Sequence, residues 1–292
     1  LIMGLVWPWS ILEPDHPFKA LTYFSHFFEK PWKEMFDGAL VSVPDMPWSY
    51  LPTLFALQLP EVLIGLLVAA IVVTFMSLSR KDVPSRRKTI LLMLTMAATL
   101  PLVIAMVKRP ALYNGIRHFI FVIPPMAVLA GAAFAWTMEW LKVNHRRWQP
   151  AAMAVFSFGL LLPLSEMIRL HPYEYTHFNH IAGTVRSANN FFMLDYWGLA
   201  LKQASDGLRE DLVERQESPP QGRKWKVAVC GPQRPAQVAL QSADFAMTLG
   251  EFYCKGLTAP VMVEIKRDDV VFARVYDIRG RGISTLLAIP AP

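Results

Sequence analysis

Cysteine is nearly absent: Cys230 and Cys254 are the only two in 292 residues. Two cysteines cannot organise a disulfide framework. Both lie in the polar C-terminal part. If that part faces an oxidising compartment, one bridge between them is available, and two buried thiols are an equal alternative. Charge is scarce as well, at 18% of residues against about 25% in an ordinary soluble domain. Also missing are a glycine-rich phosphate loop, a nucleophile elbow and a His/Cys cluster at metal-ligand spacing. Their absence removes P-loop, α/β-hydrolase and structural zinc chemistry from consideration. No basic start or small-residue cleavage site marks a signal peptide. Residues 1–6 are apolar and fit the tail of an earlier membrane helix, so the chain is expected to be the C-terminal portion of a longer protein.

The missing charge is concentrated in a few places. Residues 62–79, 89–107, 119–138 and 148–165 contain no Asp, Glu, Lys or Arg. Each run is long enough to cross a bilayer core, which takes about 17–25 apolar residues as helix. A spanning helix satisfies its own backbone polar groups, which makes such runs a reliable signal. Buried helices of a soluble protein are the competing reading. Four such runs punctuated by basic residues are rare in soluble domains. The expected class is therefore mainly α, with polytopic membrane helices over residues 1–170 and a small α+β extramembrane domain over 171–292.

The connections give a direction. Arg80-Lys81-Asp82-Val83-Pro84-Ser85-Arg86-Arg87-Lys88 carries five basic residues and one acid, and Lys142-Val143-Asn144-His145-Arg146-Arg147 carries three basic residues and no acid. Both are expected on the cytoplasmic side. The segment 7–50 then lies outside, and it holds six acidic residues against three basic ones. Parity puts 171–292 outside as well. The net charge of +6 is thus a topology signal, and no nucleic-acid partner is expected.

Segment 7–50 is rich in Trp, Phe and Pro, a composition typical of the membrane–water boundary. Short surface helices are expected there, including one over 18–29. An ordinary packing loop would look similar. After His171-Pro172 the pattern changes. Trp197, Leu201, Ala204, Leu208 and Leu212 share one face of an amphipathic helix. Ser218-Pro219-Pro220-Gln221-Gly222 is a breaker. Strands are expected over 226–230, 260–266, 270–278 and 283–289, with a helix over 235–247 and a turn at Arg267-Asp268-Asp269.

Candidate chemistry sits in the third connection, residues 108–118, which lies outside yet carries Lys108, Arg109 and Arg117 with no acid. Arg117 and His118 open a span, at the depth of a lipid headgroup. A guanidinium there can hold a phosphate in bidentate fashion, and snorkelling to ordinary anionic lipid is the plainer alternative. His171, His177 and His180 are near one another, but their spacing is loose and no carboxylate is placed beside them. Asp195 ahead of the amphipathic helix reads first as its cap and second as a catalytic acid. The pattern signals no metal site, and the cofactor, a divalent metal included, is left unassigned.

Arg117-His118-Phe119-Ile120-Phe121-Val122-Ile123-Pro124-Pro125 resembles the Arg-aromatic-x-x-x-x-x-Pro signature of the protein O-mannosyltransferase and aminoarabinose-transferase superfamily, the C-type multi-span glycosyltransferases. His118 stands where Tyr is commoner. Pro47-Trp48-Ser49-Tyr50-Leu51-Pro52 is similar to the outer segment before a span in bacterial members. His171-Pro172-Tyr173-Glu174-Tyr175-Thr176-His177-Phe178-Asn179 and Leu194-Asp195-Tyr196-Trp197-Gly198 resemble the start of the C-terminal region in one branch. The likeness covers most of residues 1–205. It implies a bacterial inner-membrane enzyme, its C-terminal domain outside, that transfers a sugar from a polyprenyl-phosphate donor. Arg117, His118, Lys108 and Arg109 would bind the donor phosphate. Trp48 and Tyr50 would contact sugar or prenyl chain, with anchoring among membrane lipids as the simpler role of each. The family's catalytic acids belong to an earlier outer loop, upstream of Leu1, so Asp15, Asp37 and Asp45 are not that base. A non-catalytic membrane-anchored binding or assembly protein is the rival expectation.

Overall fold

The computed structural model describes Leu5 and residues 7–25, 32–231 and 240–288. Residues 1–4 and 6, Glu29, residues 235–239 and Ile289 fall outside these, and with them the apolar start and parts of three expected elements. Four helices are long and apolar enough to cross a membrane: Glu61–Ser79, Ser85–Lys108, Arg117–Asn144 and Arg146–Leu170. They contain the four expected runs and extend beyond most of their ends.

The N-terminal segment holds helix α1 (His16–Ser25) and a hairpin of β1 (Lys33–Phe36) and β2 (Ala39–Ser42). The helix overlaps the one expected over 18–29. The hairpin corrects the expectation of helices alone. Its signal was in the sequence: Asp37 and Gly38 take φ of 52° and 74°, and a two-residue Asp-Gly loop with both φ positive is the turn that suits a hairpin's twist. A short helix α2 (Tyr50–Gln58) follows and buries Tyr50, Leu51, Leu54 and Phe55.

The spans are α3 (Glu61–Ser79), α4 (Ser85–Lys108), α5 (Ile123–Asn144, entered through a 3-10 turn at Arg117–Val122) and α6 (Gln149–Leu170). Prolines sit where helices begin: Pro84 precedes α4, and Pro124 and Pro150 fall in first turns, where the missing N–H costs nothing. Small residues line the inter-helix seams, among them Ala70, Thr74, Ala98, Ala130 and Ala133, which lets the backbones approach. Thr95 Oγ1 donates to Thr74 Oγ1 at 3.3 Å across α3 and α4. Large apolar side chains such as Val72, Phe75, Met76, Phe158 and Leu161 point outward and are more than half exposed. Apolar surface on this scale needs an apolar surround.

The segment after α6 ties the spans to the C-terminal part. The His171–Pro172 peptide is cis. Asn179, 1% exposed, donates through Nδ2 to the carbonyls of Ala56 and Leu59 at 2.8 Å each and so caps the end of α2. Gly38 N–H donates to the Phe191 carbonyl at 3.0 Å, and Phe192 packs on Phe36 and Phe178. One buried apolar cluster runs from Phe36 to Val275. The boundary at 170/171 marks a change of composition, and the core continues across it.

Beyond a short helix α7 (Thr184–Ala188), α8 (Ala200–Glu214) lies on a four-stranded sheet. The strands are β3 (Val227–Cys230), β4 (Phe245–Leu249), β5 (Val261–Arg267) and β6 (Val270–Asp277), in the order β3-β4-β6-β5. β3 and β4 are parallel, the other pairs antiparallel. The helix and the strands over 226–230, 260–266 and 270–278 stand as expected. Two expectations are corrected. The helix over 235–247 gives way at Phe245–Leu249 to a fully buried central strand, whose unbroken apolar run also suited a helix. The last strand over 283–289 reduces to one bridge between Leu287 and Cys254. Cys230 and Cys254 form a disulfide, which decides between the two thiol readings.

Candidate functional site

Arg117 stands at the N-terminal end of the third candidate span, in the 3-10 turn that feeds α5. Its guanidinium carbon lies 4.7 Å from the centre of the Tyr113 ring and 4.9 Å from that of Trp197. Each contact is a cation–π interaction worth about 0.5–2 kcal/mol, depending on exposure. Nε donates to His118 Nε2 at 3.4 Å. Among the described residues, the two terminal nitrogens make no hydrogen bond or ion pair. A half-buried guanidinium held by two rings, with its outer edge uncommitted, is preorganised to receive two anionic oxygens.

The loop that carries Tyr113 is bent by Asn114 and Gly115, both left-handed, at φ 57° and 74°. Glu34 on β1 anchors it. Asn114 N–H donates to Glu34 Oε1 and Oε2 at 3.0 and 2.9 Å, and Tyr50 OH donates to Glu34 Oε1 at 3.0 Å. Gly115 N–H donates in turn to the Tyr50 hydroxyl at 3.0 Å. Glu34 is 3% exposed. Burial pushes its carboxyl up to about 7, although the Asn114 amide, Tyr50 and Arg117 all pull it down. Burial, with Glu34 next to it, raises Tyr50 far above the usual phenol range, so its hydroxyl keeps its proton.

The turn that carries Trp197 is anchored by acids as well. Glu251 Oε1 accepts from the amides of Leu194 and Asp195 at 3.2 and 2.7 Å. Asp195 accepts from the amides of Leu199 and Ala200 at 2.9 and 3.0 Å and from Tyr175 OH. The N-cap of α8 is Leu199, so Asp195 is not the N-cap the sequence suggested; from four residues ahead it holds the Leu199 and Ala200 amides instead. Gly198 N–H closes the turn on the Asp195 carbonyl at 3.0 Å. Trp197, expected on the buried face of the helix, precedes it and is 58% exposed. Burial pushes Glu251 up to about 7 against the two amides that pull it down.

Of the residues expected to bind phosphate, the structure brings Arg117 and His118 together. Lys108 ends α4 and Arg109 follows it in left-handed conformation, both exposed and without a ring, hydrogen-bond or ion-pair contact to Arg117. Trp48 is 52% exposed and shows no contact to the site. Tyr50 is corrected: it is 1% exposed with its hydroxyl engaged inside, so its ring cannot stack on a sugar. Sequence reasoning missed Glu34, Tyr113, Trp197 and Glu251. Trp197 lay in a motif already singled out and Tyr113 in the singled-out connection 108–118; Glu34 is one acid among six in its segment.

The histidines do not gather into a metal site. His171 Nδ1 pairs with Glu174 at 2.5 Å. His177 and His180 approach Glu166 at 3.4 and 3.1 Å, and His180 also approaches Glu61 at 3.6 Å, so a carboxylate does stand beside each of the three. Among the described residues, only Glu13, Asp15 and His16 bring three ligand atoms within 4.8 Å of one another. There Lys19 Nζ already sits 2.7 Å from Glu13 and 3.0 Å from Asp15, which places a cation between exposed acids. Comparison with family models, with curated proteins and with solved structures finds no match.

Proposed function

We propose that this chain belongs to a bacterial multi-span glycosyltransferase that moves a sugar from a polyprenyl-phosphate donor to an acceptor at the outer face of the membrane. The observation that carries the reading is Arg117: a ring-flanked guanidinium with a free outer edge, where an apolar span begins. A lipid-linked phosphate places its oxygens at that depth. The basic connections 80–88 and 142–147 set the cytoplasmic side, and the Cys230–Cys254 bridge suits an oxidising outer compartment.

In the reaction the acceptor oxygen attacks the anomeric carbon while the bond from that carbon to the phosphate oxygen breaks. The electron pair leaves with the polyprenyl phosphate. Arg117 meets the charge that develops there, with His118 beside it. The acceptor proton passes to a carboxylate acting as general base, of the kind the resembling family supplies from an outer loop. Glu34 does not serve as that base, because it is 3% exposed and out of an acceptor's reach, its carboxylate turned to Asn114 and Tyr50.

The test is the rate of transfer from a synthetic polyprenyl-phosphate sugar by the full-length protein. Arg117→Ala removes a charge-assisted hydrogen bond worth about 1.5–3 kcal/mol, or roughly tenfold to a few hundredfold in rate. Arg117→Lys keeps the charge without the fork and restores part of it. A well-folded Arg117→Ala protein at near-normal rate would make Arg117 a membrane-edge anchor. The occupied state of Glu34 favours a second reading, a non-catalytic binding or assembly protein. That reading expects no transfer by the full-length wild type.

A further inference from the structure

Two acids, the buried Glu34 and the partly buried Glu251, flank the Arg117 site without touching it as ion-pair partners. Neither forms a salt bridge among the described residues. An acid buried without a counter-ion is costly, and a neutral side chain could hold a loop at lower cost. Their placement is specific. Glu34 binds the backbone one residue after Tyr113. Glu251 binds the backbone two and three residues before Trp197. Tyr113 and Trp197 are the two rings that hold the Arg117 guanidinium.

We propose that Glu34 and Glu251 are positioning residues of the phosphate site: each fixes one ring of the pair that aims Arg117 outward. The inference rests on the function proposed above and deepens it. The two clamps are independent in the chain, one on β1 and one after β4, and they converge on a single side chain. Tyr50 extends the first clamp by donating to Glu34 and accepting from Gly115 N–H. Asp195 extends the second by holding the amides on the far side of the Trp197 turn. With both rings fixed, the guanidinium has few other rotamers open to it, and ligand binding spends less on ordering it. Loss of either clamp leaves the cation in place and frees its direction.

The experiment measures binding of a polyprenyl phosphate in neutral-lipid micelles to full-length protein. The variants are wild type, Arg117→Ala, Glu34→Gln, Glu251→Gln, and each Gln variant combined with Arg117→Ala. Glu34→Gln and Glu251→Gln are each expected to weaken binding roughly tenfold, the size of a lost charge-assisted hydrogen bond. Added to Arg117→Ala, neither should weaken it further, since each acts through Arg117. A merely structural role gives losses that add instead. Should Glu34→Gln fail to fold, Tyr50→Phe keeps the carboxylate, removes the hydroxyl bridge to Gly115, and should weaken binding severalfold with the same non-additivity. Equal binding by wild type and Arg117→Ala would overturn the phosphate reading itself. Weakened binding by Arg117→Ala, with wild-type binding by the Gln variants or additive losses, would overturn the positioning role alone.

Discussion

Removing the Cys230–Cys254 bridge should destabilise the C-terminal domain by about 3.5 kcal/mol. The two cysteines are 24 residues apart, and the loop they close contains the central strand β4. Closing a loop of that length removes roughly 12 cal/mol/K from the unfolded chain, hence the figure at room temperature. Cys230 is fully buried at the end of β3, and Cys254 bridges to Leu287. The double substitution Cys230→Ala/Cys254→Ala therefore leaves no new buried polar group. For a domain of this size the loss corresponds to on the order of 10–20 °C in melting temperature. The assay is thermal unfolding of the detergent-solubilised protein, followed by near-ultraviolet circular dichroism, for wild type with and without reductant and for the double variant. Reductant should lower the wild-type midpoint to that of the variant and leave the variant unmoved. A mass tag on free thiols should add nothing to protein taken from cells without reductant. A midpoint indifferent to reductant, or two free thiols in that protein, would refute the bridge and the oxidising location it supports.

Stability should also depend on pH above the usual carboxylate range. Glu34 and Glu251 sit near 7 in the fold against an ordinary value of 4.5, so between those values the folded chain holds protons the unfolded chain has released. Stability then falls as pH rises through that window, by about 3 kcal/mol for one such group. Asp244, held low by Arg223, loses its contribution only below about pH 4 and leaves the window clear. The melting midpoint should drop from pH 5 to pH 8, and Glu34→Gln should flatten part of the drop; a midpoint constant across that range would contradict the raised titration of the two acids. Orientation is tested by single added cysteines, because the native pair is bridged. One replacing Arg86 should resist a membrane-impermeant thiol reagent in intact cells and one replacing Gln216 should react; the reverse would turn the protein over and remove the outer-face chemistry.

The four long helices were legible because a run of apolar residues carries its meaning locally: its length, its missing charges and its basic ends need no partner to be read. The same holds for α8 and the β5–β6 hairpin, whose periodicity and turn residues are local. The hairpin at Asp37-Gly38 was equally legible and was overlooked among the aromatic residues around it. β4 was not legible. A central strand buried on both faces shows no alternation, so only its pairing with β3 and β6 distinguishes Phe245–Leu249 from a helix. The site divides in the same way. Arg117 was visible as a basic residue at the edge of a span. Glu34 and Glu251 were not, because their partners are backbone amides 80 and 56 residues away in the case of Asn114 and Asp195. The sequence by itself determined which segments are apolar enough to leave water and where a cation would stand at their edge, since both follow from composition over about twenty residues. Only the tertiary structure decided which side chains surround that cation, since burial and hydrogen bonding between distant segments depend on where the chain returns to itself.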